Sequence, residues 1–78
     1  MAKTYIFYDR IDGEAKECAR VVFDGNTSTW SGDEQMKEMV VGEQFDETGG
    51  EPFDDTNPDH MEMLPFIVSG DYLWVTEE

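Results

Sequence analysis

Apart from carboxylates, this sequence has few of the side chains that usually carry chemistry in proteins. Cys18 is the one thiol and His60 the one imidazole among 78 residues. A Cys–His nucleophile pair needs the two groups in contact, and nearby carboxylates would raise the pKa of the thiol instead of activating it. A transition-metal site needs several His or Cys ligands. The sequence therefore predicts neither a thiol enzyme nor a zinc site.

Carboxylates are abundant, and they are concentrated in the middle of the chain. The formal net charge is −14. Residues 33–62 contain eleven Asp and Glu and a single base, Lys37, whereas residues 1–32 contain five acids and four bases. Such asymmetry bears on partners and solubility more than on fold. It argues against direct binding of nucleic acid, because that requires cations to neutralise phosphates.

Calcium is one alternative use for so many carboxylates. An EF-hand loop starting at Asp24 has Thr29 where the motif requires Gly, and a loop starting at Asp46 also departs from the motif. An irregular calcium-binding loop remains an alternative, with four carboxylates as its ligands: Asp46, Glu47, Asp54 and Asp55.

Paired carboxylates can also act as general acid and base, but that chemistry needs a substrate-sized cleft of several hundred cubic ångströms. A single domain of 78 residues has a small core. We therefore expect no such cleft, and we predict that the protein is not an enzyme and uses no cofactor or resident metal ion.

The elements that position these side chains begin with a small antiparallel sheet. Residues 3–9 are rich in aromatic and branched side chains, which is typical of a strand. The pair Asp12-Gly13 predicts a tight turn, and residues 15–23 would return as the second strand. Short strands are also predicted at residues 27–30 and 72–76. One face of the second strand carries three apolar residues: Ala19, Val21 and Phe23.

A first helix is predicted over residues 33–41. Ser31 and Glu34 match the capping-box pattern at its start, and Gly42 is a natural stop at its end. A connection of about fifteen residues would then lead to Asn57, which is long for so small a domain.

A second helix is predicted where Asn57 is followed by Pro58, a cap with Pro in the first helical position. This helix would run through Met61 and be broken or kinked at Pro65. The order of elements predicts one α+β domain spanning residues 1–78, with an antiparallel sheet of three to four strands and two short helices.

The location of the protein is also predicted from what the sequence contains. No segment approaches the ~20 apolar residues of a membrane span. The single Cys18 excludes an internal disulfide framework, in agreement with a reducing compartment. We expect a cytoplasmic protein.

The central acidic region is interpreted as a mimic of nucleic acid. Duplex DNA carries one negative charge per ~3.4 Å along each strand, and carboxylates on a rigid frame can pair with the Arg and Lys side chains that grip phosphates. Aromatic residues in this region would supply apolar anchors. The predicted partner-binding residues are Asp33, Glu34, Glu38, Glu43, Asp46, Glu47, Glu51, Asp54, Asp55, Asp59, Glu62, Phe45 and Phe53. Of these, the ones between Glu43 and Asp55 are expected on the long connection.

The alternative explanation of the charge is adaptation to high salt, in an acidic structural or interaction domain without mimicry. Such adaptation should spread over the whole surface, whereas the first 32 residues are nearly balanced in charge. Thermal stability at low salt separates the two, because a salt-adapted domain should lose its structure there.

The end of the chain, residues 63–78, resembles the ends of small uncharacterised proteins of phages, prophages and haloarchaea. The matching positions are Leu64, Pro65, Gly70, Tyr72, Leu73 and Trp74. A phage origin implies, by type, the acidic DNA-mimic inhibitors of host defence, such as anti-CRISPR proteins. On this resemblance the partner would be a basic nucleic-acid-binding protein, such as a CRISPR effector, in the host cytoplasm. The inhibitor itself would be a monomer or weak dimer.

Overall fold

The computed structural model describes residues 2–78, which form a four-stranded sheet with three helices. The strands are Lys3–Ile11 (β1), Glu14–Phe23 (β2), Ser28–Gly32 (β3) and Leu73–Glu77 (β4). The helices are Met36–Thr48 (α1), Pro58–Glu62 (α2) and Leu64–Ile67 (α3). None of the helices in these residues is long and apolar enough to cross a membrane. The predicted α+β class is confirmed.

The strands lie in the order β3-β2-β1-β4, and each neighbouring pair is antiparallel. Asp12 and Gly13 join β1 to β2 with φ values of 53° and 85°. Two consecutive positive φ values are the geometry of the type I′ turn, which matches the twist of a hairpin. The predicted turn is therefore confirmed.

The sheet has one covered and one uncovered face. Side chains alternate between the faces along each strand, and those of the inner face form the core together with the helices. The buried residues from the sheet are Tyr5, Phe7, Ala19, Val21, Phe23 and Val75. Those from the helical side are Met36, Val40, Met61, Leu64, Ile67 and Val68. Because all three helices contribute to this one core, no helix of residues 2–78 covers the other side of the sheet, here called the open face.

The first helix begins later than predicted. It starts at Met36, and the capping box of Ser31 and Glu34 does not form. Ser31 instead belongs to β3, whose pairing with β2 continues through the predicted cap. The carboxylate of Asp33 accepts a hydrogen bond from the backbone N–H of Gln35 at 2.9 Å, within a turn that precedes the helix. Strand pairing thus prevails over the local capping signal.

The first helix also ends later than predicted, because Gly42 does not stop it. Gly42 has no left-handed φ, and Val40 packs in the core one turn before Gln44 on the same side of α1, so the helix stays against the core past Gly42. The amide oxygen of Gln44 is buried without a hydrogen-bond partner, so the apolar contacts of α1, and not this amide, favour the continuation. The helix ends at Gly49, which has a left-handed φ of 75° and donates its N–H to the carbonyl oxygen of Phe45.

The long connection predicted for residues 42–57 is therefore only residues 49–57. At its end, the side chain of Asn57 accepts a hydrogen bond from the backbone N–H of Asp59 at 2.9 Å, which confirms the predicted cap. The chain beyond forms two short helices instead of one. Pro65 lies in the first turn of α3, a position where its missing N–H costs little.

Replacing Gly42 with Ala should stabilise the protein. A Cβ at Gly42 would meet no heavy atom within 4 Å, and Ala in a helix interior is favoured over Gly by roughly 0.5–1 kcal/mol. Gly49→Ala should lower stability by about 1 kcal/mol, because a left-handed φ is unfavourable for Ala. Urea unfolding followed by circular dichroism measures both changes. A loss of stability in Gly42→Ala would contradict a helix that continues through this position.

Candidate acidic interface

The eleven carboxylates of residues 33–62 lie on or beside the helices that cover the inner face of the sheet. In chain order they lie before α1 (Asp33, Glu34), on α1 (Glu38, Glu43, Asp46, Glu47), in the connection (Glu51, Asp54, Asp55) and on α2 (Asp59, Glu62). Ten are exposed, and Asp55 is half-buried. These eleven residues are called the acidic layer below.

Three of these carboxylates were expected on a loop and lie on a helix instead. Glu43, Asp46 and Glu47 occupy the last turns of α1, because the helix passes through Gly42. Residues three and four apart on a helix have their Cβ atoms ~5–6 Å apart. The helix therefore fixes the spacing of these charges, which a loop would not.

The end of α1 places negative charge where the helix itself disfavours it. Asp46 and Glu47 lie at the C-terminal end, and the last turn contains no basic residue. Carboxylates near the negative end of a helix dipole are unfavourable by ~0.3–1 kcal/mol each, and like charges four residues apart, such as Glu43 and Glu47, add a few tenths. The carboxylates of this turn therefore lower the local stability of the helix.

Asp55 holds the connection onto the rest of the protein. Its side chain is 19% exposed, and its carboxylate accepts a hydrogen bond from Nε1 of Trp30 at 2.9 Å. The same oxygen, Oδ2, lies 3.2 Å from Nζ of Lys37, the single base of residues 33–62. Asp55 thus links the connection to β3 and α1 and pairs with Lys37, while Lys3 pairs with Glu62 at 3.3 Å elsewhere in the acidic layer.

Further contacts fix the connection around Asp55. The hydroxyl of Ser28 donates to the backbone carbonyl of Asp55. The backbone N–H of Asp54 donates to Nδ1 of His60 at 2.9 Å. Phe53 packs against the core, with its ring centroid 6.0 Å from that of His60. The carboxylates of this segment are therefore carried by a backbone that is tied to β3 and α2.

The carboxylate of Asp54 is held in its charged form by its own turn. It accepts hydrogen bonds from the hydroxyl of Thr56 at 2.6 Å and from the backbone N–H of Thr56 at 2.9 Å. These bonds, the hydroxyl bond first, lower the pKa of Asp54 below its usual value. The charge of Asp54 therefore persists to lower pH than that of an ordinary Asp.

The two predicted aromatic anchors differ in accessibility. Phe45 is 52% exposed on α1, one turn after the partly exposed Val41. Phe53 is half-buried against the core. Phe45 is thus available to a partner, whereas Phe53 contributes mainly to fixing the connection.

Cys18 and His60 do not form a nucleophile pair. The thiol of Cys18 donates to the backbone carbonyl of Phe7 at 3.5 Å. Burial, and then the charges of Asp9 and Asp33, raise its pKa, which disfavours the thiolate. His60 lies on α2, where Nδ1 already accepts the hydrogen bond from the connection. Neither side chain is arranged to activate the other.

The four carboxylates considered as calcium ligands are divided between two elements. Asp46 and Glu47 lie on α1, whereas Asp54 and Asp55 lie in the connection. Within residues 2–78, no group of three or more His, Cys, Asp or Glu side chains is arranged to hold a metal ion. The geometry therefore gives no support to a calcium-binding loop.

The open face of the sheet carries a cluster that sequence reasoning missed. Tyr8 and Trp74 stack there with ring centroids 5.9 Å apart, and the guanidinium of Arg10 lies 5.3 Å from the centroid of Trp74. Arg20 on the same face is paired with Glu17 at 2.7 Å. Two of the five bases thus lie opposite the acidic layer. The signal was the alternation of residues along β1 and β2, but the pairing of β4 with β1 is not readable locally.

Two adjoining grooves lie beside α1 and β4. Their volumes are about 310 and 550 Å³, and Met39 and Leu73 line both of them. The volumes reach several hundred cubic ångströms, but both spaces are wide open to solvent and differ from the enclosed cleft that catalysis by paired carboxylates would need. Three short helices do not cover the whole inner face of a four-stranded sheet, so space remains beside the edge strand β4.

Comparisons with known proteins found no matching family model, no matching curated protein and no matching solved structure. The charges and contacts of the chain are therefore the basis on which its function is inferred.

Replacing Asp55 with Ala should destabilise the protein by roughly 1–3 kcal/mol, because the indole N–H of Trp30 and the ammonium of Lys37 lose their acceptor. Asp55→Asn retains a carbonyl acceptor for Trp30 and should cost less. Asp46→Asn, at an exposed carboxylate, is the control and should not destabilise. The urea concentrations at the midpoint of unfolding compare the stabilities of the three variants with that of the parent. Unchanged stability in Asp55→Ala would contradict the anchoring role.

Proposed function

We propose that the protein is an acidic DNA mimic, which binds a positively charged nucleic-acid-binding site on another protein and blocks access of DNA to it. The observation that carries this proposal is the end of α1. Asp46 and Glu47 lie beside Glu43 at the negative end of the helix dipole, in a turn without a base. Departures from local structural preferences are found most often at functional sites. The departure here concerns only the sign of the charge at the C-terminal end of the helix.

The spacing of these charges suits sites that bind phosphates. Side chains three and four apart on α1 have Cβ atoms ~5–6 Å apart, so they form a closely spaced row of charges, as the phosphates of a DNA strand do, with one charge per ~3.4 Å of helix axis. Arg forks and Lys ammonium groups that pair with phosphates can pair with carboxylates in the same manner. The last turns of α1 can therefore stand in for a short run of phosphates.

The rigidity of the acidic layer supports the same function. Carboxylates on a helix, and on a connection held by Asp55 and Ser28, are carried by a backbone that is already ordered, so little backbone freedom is lost on binding. Pre-organisation of this kind improves affinity by lowering the entropic cost of association. A mobile acidic tail would have to be ordered by its partner first.

The net charge of the whole chain affects the rate of association before the two proteins touch. The net charge is −14, and the acidic layer contacts two cations, Lys37 at Asp55 and Lys3 at Glu62, so its field is predominantly negative. Such a field accelerates association with a basic partner, and the acceleration weakens as salt screens it.

The class of partner is proposed from the resemblance of residues 63–78 to phage and prophage proteins. We infer a host defence protein with a basic DNA-binding groove, such as a CRISPR effector, in the host cytoplasm. In this proposal the protein has no catalytic role and acts as a monomer or weak dimer. Blocking the groove is sufficient for inhibition.

The double variant Asp46→Asn/Glu47→Gln should be more stable than the parent and bind its partner more weakly. Removing two unfavourable charges from the helix end should add about 0.5–1 kcal/mol of stability, whereas loss of two partner ion pairs should lower affinity about tenfold. Partners are captured from a host lysate on the immobilised chain and eluted with a short DNA duplex. Affinities of the eluted protein are then measured between about 50 and 200 mM salt, because the contribution of ion pairs falls over this range.

The matched control is Asp12→Asn/Glu14→Gln at the tip of the β1–β2 hairpin, where both side chains are exposed. Each double variant removes two carboxylates and changes the net charge from −14 to −12. The hairpin variant should bind within a factor of about three of the parent, since only its long-range field changes. Equal losses in both variants, or a captured protein that DNA does not displace, would refute mimicry.

Salt adaptation leads to a different result in thermal unfolding. A mimic from an ordinary host should remain folded at about 10 mM salt, where the Debye length is ~30 Å and repulsion within the acidic layer is greatest. Circular dichroism melts from low to molar salt test this expectation. Loss of structure at low salt, recovered only near molar salt, would favour a salt-adapted domain.

A further inference from the structure

We propose that the grooves beside α1 and β4 bind an amphipathic, Lys- and Arg-rich segment of a partner protein, with apolar side chains of that segment inserted between α1 and β4. This inference rests on the proposed function in one respect, that the partner is cationic. It adds an apolar contact, which phosphate mimicry alone does not require.

The floor of the groove is apolar and adaptable. Met39 and Leu73 line both halves and are half-buried, so part of each side chain faces the open space. Met36 contributes to the larger half and Ile67 to the smaller. Met side chains are flexible and polarizable, which allows them to fit different apolar partners. Tyr72, which is 75% exposed, adds an aromatic residue to the lining of the smaller half.

The rest of the lining is strongly acidic. Five carboxylates line the two halves of the groove: Asp9, Asp33 and Glu38 the larger half, Glu43 and Asp71 the smaller half. In the part of the chain that the structure describes, none of them lies within 4.0 Å of a Lys or Arg nitrogen, and no Lys or Arg lines either half. The lining therefore combines an apolar floor with uncompensated negative charge.

This combination selects the chemistry of the occupant. An acidic or phosphorylated ligand would be repelled by five carboxylates, and so would a second copy of a chain with net charge −14. An uncharged apolar ligand would bury part of the acidic lining without providing counter-charges. A helix with apolar side chains three and four residues apart, flanked by Lys or Arg, can contact the apolar floor and form ion pairs with the carboxylates at the same time.

The grooves also have the right size. Their volumes of about 310 and 550 Å³ fall within the range of ligand pockets in proteins, which is ample for one or two apolar side chains each. Because Met39 and Leu73 belong to both, an occupant can place successive side chains in the two halves. The space is thus elongated along the side of α1, as a peptide segment requires.

The test uses a fluorescent peptide of about four helical turns, composed of Leu and Lys in an amphipathic pattern. A second peptide has Ser in place of every Leu and the same charge. The Leu peptide should bind the folded protein about tenfold more tightly than the Ser peptide, since apolar anchors dominate such contacts. Fluorescence anisotropy measures both.

Two variants locate the binding. Met39→Gln changes no charge and should abolish most of the preference for the Leu peptide. Glu38→Gln/Glu43→Gln should weaken binding of both peptides about fivefold or more, whereas the hairpin variant Asp12→Asn/Glu14→Gln should change it less than about twofold. Circular dichroism verifies that each variant is folded. Amide chemical shifts on addition of the Leu peptide to the parent protein should change along α1 and β4 and not on the open face.

Equal binding of the two peptides, or shift changes confined to regions away from α1 and β4, would overturn the inference even if Met39→Gln failed to fold. The outcome is separable from that of the proposed function. If the Leu peptide binds selectively but no captured partner is displaced by DNA, the groove inference stands and DNA mimicry is refuted. If DNA displaces a captured partner but neither peptide is preferred, DNA mimicry stands and the groove inference is refuted.

Discussion

The structure depends on a small apolar core between the helices and the sheet, which must outweigh the repulsion among the carboxylates of the acidic layer. Val40, Met61 and Leu64 are fully buried against the inner face of the sheet, where Tyr5 and Phe7 are fully buried too. Each such aliphatic side chain contributes roughly 1.5–3 kcal/mol on burial, whereas a pair of exposed like charges on a helix costs only ~0.2–0.5 kcal/mol. A few core side chains therefore outweigh the repulsion in the acidic layer, provided the charges stay in water.

How much could be read from the sequence depends on the range of the interaction. The Asp12-Gly13 turn and the Asn57 cap were predicted because both are decided within a few residues. Gly42 was wrongly predicted to end the helix because the packing of α1 against the core, through Met36 and Val40, is a tertiary effect. The helix ends instead at Gly49, the first residue of the pair Gly49-Gly50, which is itself a local signal for a helix end.

The candidate site shows the same division between local and long-range information. The identity of its carboxylates was evident from composition, but their placement was not. The contact of Asp55 with Trp30 spans 25 residues, and both grooves exist only because β4 pairs with β1 across the length of the chain. Charge could therefore be assigned to a region in advance, whereas the backbone that carries it, its ion pairs with Lys37 and Lys3 and the apolar lining of the grooves could not.

The stack of Arg10, Trp74 and Tyr8 has a consequence for the molecule as a whole. With Arg20, it places two of the five bases on the open face, whereas the carboxylates of the helices lie on the other side of the sheet. The distribution of charge is therefore asymmetric across the sheet. An asymmetry of this kind favours an approach in which the helical side, and not the open face, turns toward a positively charged surface.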